Sequence, residues 1–424
     1  QWALVPESFR KQAEEKVVYV NGVKTWPLLK MAKCLYGHAL SGHIWIEKCI
    51  DSLRKRGYKS CESDPALLFK ETEGGGRVLV CVYVDDICAT GPKKGLSALW
   101  SGIRADFPGA CGAPGEPFEA ETSEFLGMSL KKWTDETSGT AYIDLDMSLY
   151  AKEIRREFHN LWTVRERREL RVRNTQVPMI SDLRNTECQL ASAPQRRVQK
   201  LIGMILWISR CARPDLSFAV SRLGSRVGSW STLCDRELFR LIEYLHASSR
   251  HVLRFKRGPG IPDEGIQPAV HTDADLAIPR SQSGGFMYWA SADEGAFMPI
   301  AWHSKKQPLA ADSSAVSETI AAHLAVREYL LMADVPACNV PLRVFADNSS
   351  VLRLAARGTS KSASVLSKAI GLRIAFLRDL REAGLVDFVY VNTKDYKADA
   401  LSKALDEGKW AKALEMFGLV PCHE

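Results

Sequence analysis

The chain has 424 residues, too many for one ordinary hydrophobic core, so two or three domains are expected. A hydrophobic fraction of 46% with 25% charged residues is that of a globular protein, and no apolar run approaches the ~20 residues of a membrane-spanning helix. The 57 Lys+Arg against 50 Asp+Glu give +7, which suits a polyanionic partner but is too mild over this length to identify one. The 11 cysteines form no Cys-x-x-Cys and have no paired histidines nearby, which argues against a zinc site or a disulfide framework and for reduced thiols in an intracellular setting.

In chain order, residues 1–34 read as partly irregular. From Ile44 to Arg56 the apolar Trp45, Ile46, Cys49, Ile50 and Leu53 recur at helical spacing, with Gly57 as the residue that ends the helix. Ala66–Glu71, the turn Gly74-Gly75-Gly76 and the β-branched run Arg77–Val84 predict a meander. That run stops at Asp85-Asp86 and resumes at Ile87, so a hairpin presents two carboxylates at its tip, with Cys81 and Cys88 as small core residues. Leu96, Leu99, Trp100, Ile103 and Phe107 predict a helix ending before Pro108, and 108–117 is a Gly/Pro-rich loop. Glu124–Trp133 and Thr140–Met147 read as a second hairpin around Ser138-Gly139. The arginine-rich run Arg165–Arg173 is ordinarily a solvated helix face, with nucleic-acid contact as the rarer reading. Residues 174–194 read as a polar connector. Three helical patterns follow, Val198–Arg210, Asp215–Arg226 and Asp235–Ser249, with Arg213-Pro214-Asp215 at a helix start.

Beyond residue 268 the pattern changes to strands at Ala269–Asp273, Gly285–Ala290 and Met298–Ser304, a helix Ser314–Met332, a strand Leu342–Ala346, and helices over Ser349–Ala356 and Leu366–Glu382. A strand-like run Val386–Val391 and a last helix from Ala398 complete it. Four acids stand at strand ends and helix starts in this part: Asp273, Glu318, Asp347 and Asp399. Each has an ordinary explanation, Asp347 as an N-cap, Asp399 as a first-turn acid favoured by the helix dipole, Glu318 as half of a capping arrangement. Their joint placement is what a two-metal nuclease needs, since carboxylates are the hard oxygen ligands of divalent cations.

Tyr83-Val84-Asp85-Asp86 resembles the polymerase signature of reverse transcriptases. Together with Leu35-Tyr36-Gly37, Ser63-Asp64-Pro65-Ala66-Leu67-Leu68-Phe69, Phe125-Leu126-Gly127-Met128 and Arg213-Pro214-Asp215-Leu216, it forms an ordered set that resembles copia-type LTR retrotransposon Pol, across nearly the whole chain. The βββαβα order of the C-terminal part resembles the ribonuclease H fold. Pro6-Glu7-Ser8-Phe9 is similar to a family segment that follows the first half of the polymerase core, so the resemblance implies a first catalytic aspartate upstream of Gln1 and a chain that is part of a longer polyprotein.

The resemblance implies an α+β architecture: a partial reverse-transcriptase fingers/palm over 1–163, a linker and helical thumb/connection over 164–265, and a ribonuclease H-like mixed α/β domain over 266–424. It implies Asp85 and Asp86 as catalytic, metal-binding residues of an RNA-directed DNA polymerase, and Asp273, Glu318, Asp347 and Asp399 as those of a ribonuclease acting on RNA–DNA hybrids. The implied cofactor is Mg²⁺ or Mn²⁺. The implied partners are an RNA template, a DNA primer, the hybrid and the rest of the polyprotein, with no membrane. The chain departs from the family at His38–Gly42, where the family has Lys-Gln-Ala-Pro, and at Leu276, where it has Trp. It also has Val316 in place of a second helix acid, and Ala369 and Ala375 in place of histidines. The lost histidines lend weight to the rival reading, a catalytically dead nucleic-acid-binding or structural remnant.

Overall fold

The computed structural model describes residues 2–4, 18–21, 23–25, 28–30, 38, 40–108, 122–171, 175–180, 195–332, 340–358 and 368–422. Its contacts divide the chain into two compact units, Gln1–Glu116 and Pro117–Glu424. The motifs Pro6–Phe9 and Leu35–Gly37 lie outside the described residues, as does most of the 174–194 segment.

In the first unit, β1 (Trp2–Leu4) pairs with β4 (Leu28–Lys30), and β2 (Val18–Val20) with β3 (Val23–Thr25). After α1 (Ser41–Lys55) come β5 (Lys59–Ser60), β6 (Leu67–Glu71), β7 (Arg77–Tyr83) and β8 (Asp86–Thr90), a four-stranded antiparallel meander in chain order, and then α2 (Lys93–Asp106). Side chains alternate across a strand, so Val78, Val80 and Val82 of β7 turn one way and meet Cys49, Ile50 and Leu53 of α1 and Leu99 and Ile103 of α2. Burying each valine contributes about 1.5–3 kcal/mol. Cys81 and Cys88 are half-buried and stand opposite one another across the β7–β8 ladder.

The second unit begins with β9 (Thr122–Phe125), β10 (Met128–Thr134) and β11 (Ala141–Asp146). The expected single strand Glu124–Trp133 is broken, because Leu126 and Gly127 take φ of +55° and +76° and form a tight turn between β9 and β10. Next come α3 (Ser148–Leu161), α4 (Val164–Leu170), α5 (Gln195–Cys211), α6 (Ser217–Gly224) and α7 (Thr232–Ala247). In the arginine-rich run, α4 opens with a Thr163/Glu166 capping box, and Arg167 turns back to bond the carbonyls of His159 and Trp162 at the end of α3. That arginine closes a helix end. The connector expectation fails at Val177 and Met179, which are buried with the α3, α5 and α7 side chains.

The remaining elements are β12 (His251–Arg257), β13 (Ile266–Ala274), β14 (Gln282–Ser291), β15 (Ala296–Lys306), α8 (Ser314–Leu330), β16 (Leu342–Ala346), α9 (Ser349–Arg357), α10 (Lys368–Glu382), β17 (Val386–Tyr390), α11 (Asp399–Ser402), α12 (Glu407–Phe417) and β18 (Leu419–Pro421). The strands β13 to β17 lie in the order β15-β14-β13-β16-β17, with β14 antiparallel to both of its neighbours and β13, β16 and β17 parallel to one another. This is the mixed α/β arrangement expected of a ribonuclease H-like domain, with α8, α9 and α10 packed on one face. The last helix is two, α11 and α12, separated at Lys403–Asp406.

No break falls at the expected boundaries 163/164 and 265/266. The strand β12, unforeseen between the helices and β13, pairs with β11 on one side and with β15 and β18 on the other, so β9 to β17 form one continuous sheet. Asp144 and Arg254 face each other across β11 and β12 at 2.7 and 2.8 Å, with the guanidinium also over the rings of Trp133 and Tyr142. A charge-assisted bidentate pair backed by cation–π contact holds this register. One hydrophobic core runs from Leu145 through α5–α7 to Phe286, Trp410 and Phe417. The helices expected to be a separate connection are therefore part of the second unit.

Candidate active site

The four acids of the second unit are brought together by four different elements. Asp273 comes near the end of β13 and is 4% exposed; Glu318, 8% exposed, lies in the second turn of α8; Asp347 follows β16; Asp399 opens α11. The ordinary explanations fail one by one. The cap of α9 is Asn348, whose side-chain oxygen accepts from the Ser350 N–H, so Asp347 is not the cap. The side chain of Ser313 makes no capping bond to α8, and Glu318 accepts from Asn348 Nδ2 at 3.0 Å. Asp399 is held in an ion pair, Oδ1 to Lys403 Nζ at 2.9 Å, within a helix too short for a large dipole.

The close seating of α11 has a sequence cause. Gly284 stands directly opposite Asp273 in the β13–β14 ladder, and a Cβ there would lie 2.9 Å from the Leu401 carbonyl carbon and Ser402 nitrogen. Only glycine lets α11 approach this strand. As a result Ser402 Oγ donates to Asp273 Oδ2, and Lys403 Nζ reaches the same oxygen at 3.3 Å. On the opposite side, Thr393 Oγ1 donates to Asp347 Oδ2 at 3.2 Å. Asn348, Thr393, Ser402 and Lys403 were missed at the level of sequence; Ser402-Lys403 at three and four residues after Asp399 was the available signal.

Electrostatics tie the acids into one cluster. Burial first, then the negative charges of Asp273 and Asp347, push Glu318 up to about 7, against the Asn348 hydrogen bond and the Lys403 ammonium. Burial and Asp273 push Asp399 up to about 6, and burial and Asp273 raise Asp347 as well. Glu318 Oε2 is buried without a hydrogen-bond partner. A set of hard carboxylate oxygens that repel one another, two of them, Glu318 Oε2 and Asp399 Oδ1, buried without a hydrogen-bond partner, is the donor chemistry of a divalent cation site. Among the described residues, no three acids, cysteines or histidines converge closely enough to hold an ion as they stand. The donor set fits a metal; the geometry requires side-chain movement.

A raised carboxyl pKa makes an unusual pH prediction. Glu318 binds its proton more tightly when folded, so its contribution to stability is complete below about pH 4.5 and is lost as pH rises through about 7. In EDTA the protein should therefore lose up to about 3 kcal/mol between these limits, at 1.36 kcal/mol per pKa unit. Glu318→Gln should flatten that slope in thermal melts, and an unchanged slope would contradict the assignment.

Of the positions where the chain departs from the resemblance, Val316 is buried with Ile320, Ile370 and Ile374 between α8 and α10. Ala369 is exposed and Ala375 half-buried on α10.

In the first unit, Asp85 and Asp86 are exposed at the β7–β8 tip, and Val84 occupies the turn with φ +52° rather than ending a strand. A β-branched residue there is strained by about 1–3 kcal/mol. Trp45 Nε1 donates to the Val84 carbonyl at 2.6 Å and holds the tip.

No family model matches the chain. It is 22% identical over 407 residues to the "Retrovirus-related Pol polyprotein from transposon TNT 1-94" of Nicotiana tabacum, covering 92% of this chain and 28% of that protein. To the Pol polyprotein from transposon RE1 of Arabidopsis thaliana it is 23% identical over 401 residues, covering 92% and 25%. To a putative transposon Ty5-1 protein of Saccharomyces cerevisiae it is 23% identical over 285 residues, covering 64% and 80%. The chain thus spans about a quarter of the length of the Pol polyproteins it matches. Among solved structures, a foamy viral protease-reverse transcriptase in complex with RNA/DNA hybrid aligns with 89% of this chain and 41% of its own at TM-score 0.44 and 15% identity. RNase H1 from Halobacterium salinarum aligns with 35% of this chain and 98% of its own at TM-score 0.24 and 16% identity. The motifs expected of copia-type Pol thus sit in a chain that is similar over nearly its whole length to the retrovirus-related Pol polyproteins of transposons.

Proposed function

We propose that the chain is the reverse transcriptase/ribonuclease H region of a retrotransposon Pol protein, and that its second unit hydrolyses the RNA strand of RNA–DNA hybrids. The observation that carries this is the clustering of Asp273, Glu318, Asp347 and Asp399, in which the charges of Asp273 and Asp347 raise Glu318 and Asp399 beside a buried Glu318 oxygen without a hydrogen-bond partner. Divalent metal, Mg²⁺ or Mn²⁺, would supply an activated water and stabilise the leaving 3′ oxygen. Asp273, at the end of a central strand and fixed by Ser402, is the rigid member of the set. Glu318 and Asp347 approach from the α8 and β16 sides, and Asp399 from α11. Selection of the RNA strand would come from its 2′-hydroxyls, displayed in a shallow minor groove. Asp85 and Asp86 are assigned to the polymerase site of the complete protein. The test follows a labelled RNA strand in an RNA–DNA hybrid with Mg²⁺, beside an all-DNA duplex. Hybrid-specific cleavage supports the reading; binding of the hybrid by folded protein without cleavage leaves the dead remnant.

A further inference from the structure

We infer that Lys403 is the built-in counter-ion of the acid cluster, and that a divalent cation enters by displacing its ammonium group. This deepens the metal reading proposed above and rests on it. Lys403 Nζ lies 2.9 Å from Asp399 Oδ1 and 3.3 Å from Asp273 Oδ2, bridging two acids that come from different elements. Its backbone is fixed, because it directly follows α11, which Gly284 allows to lie against β14 and which Ser402 fastens to Asp273. Its side chain is 44% exposed, so the ammonium has a route to solvent while the carboxylates, 6% and 13% exposed, do not.

Two buried carboxylates this close need a cation between them. The Lys403 ammonium supplies it. An ammonium and a divalent ion drawn to the same carboxylates repel one another, so each disfavours the other. Lys403 is thus a positioning residue: it keeps Asp273 and Asp399 paired until metal arrives, and it sets a threshold concentration for metal loading.

The test is a Mn²⁺ titration of the full chain, followed by the electron paramagnetic resonance signal of free Mn²⁺, for the unmodified protein, Lys403→Met and Lys403→Arg, with thermal melts in EDTA. Lys403→Met should bind Mn²⁺ at least about ten-fold more tightly, Lys403→Arg no more tightly than the unmodified chain, and Lys403→Met should melt lower without metal. Adding Asp399→Asn to Lys403→Met should restore the metal-free melting temperature, which keeps the inference testable should the single variant fold poorly. A merely structural lysine would give the opposite sign, weaker Mn²⁺ binding on removal. Equal or weaker binding by folded Lys403→Met overturns the inference and leaves the metal reading intact. Folded proteins that bind no Mn²⁺ in either form overturn both.

Discussion

Asp347→Asn is expected to lower hybrid cleavage by on the order of 10³-fold, about 4 kcal/mol of barrier, while the metal-free protein melts at the same temperature or slightly higher. The side chain accepts one hydrogen bond, from Thr393 Oγ1, and an asparagine amide oxygen can accept it too. The helix cap next door belongs to Asn348 and is untouched. What asparagine removes is the charge, which raises Glu318 and Asp399 in the folded state, so the metal-free cluster is relieved of repulsion. Metal-ligand and structural roles therefore separate cleanly: cleavage within about three-fold of the unmodified rate would show that Asp347 is only an acceptor for Thr393.

The largest stability effect is expected far from these acids, at Arg213 and Asp215. Their side chains are 3% and 0% exposed and meet at 2.7 Å, and Asp215 also accepts from Tyr244 Oη at 2.7 Å. Arg213 donates onward to the carbonyl and hydroxyl of Ser248, and Trp410 Nε1 donates to Tyr244 Oη at 3.1 Å. The network binds the start of α6 to α7, to the turn before β12, and to α12. Asp215→Ala strands a buried guanidinium and should cost about 3–5 kcal/mol, a large part of the 5–15 kcal/mol that holds a typical domain folded. Arg213→Met with Asp215→Leu removes both charges and should recover at least half of that loss. Chemical denaturation of Arg213→Met, Asp215→Leu and the pair gives the coupling directly. A loss below about 1 kcal/mol for Asp215→Ala would show that the network is not closed.

The contrast between these sites shows what a linear sequence conveys. The β7–β8 hairpin, the α1 helix and the five strands around Asp273 were legible because burial on one face imposes a period of 2 or 3.6. The four acids were legible as residues standing at the ends of such elements. Arg213-Pro214-Asp215 read as a helix start, and Pro214 does open a helical turn, but the buried network around the pair is invisible because Tyr244 lies 29 residues further on. The strand β12 was missed because His251, Arg254, Lys256 and Arg257 make it look like a surface run; its polar side chains are absorbed by partners such as Asp144, 110 positions earlier. Val177 and Met179 were lost in a polar neighbourhood for the same reason: burial is a property of neighbours in space. Lys403 could have been noticed beside Asp399 on one helical turn, but its second acid, Asp273, lies 130 residues away.

The sheet that runs unbroken from β9 to β17 decides how the second unit comes apart. Severing the chain at 265 would strip β15 and β18 of β12 and lay bare Phe286, Phe297 and Phe417, which share one core with Leu253 and the α5–α7 side chains. A C-terminal half cut out at that point keeps the core between the sheet and α8–α10 but loses the one it shares with α5–α7. Heating should accordingly give one transition for 117–424, and amide hydrogen exchange at β13 should slow and quicken together with that at β11 and α7 rather than independently. The acids would then lose their alignment only when the hairpin and helices go with them: a destabilising change at Asp144 or Asp215 reaches the carboxylates as a shared folding equilibrium.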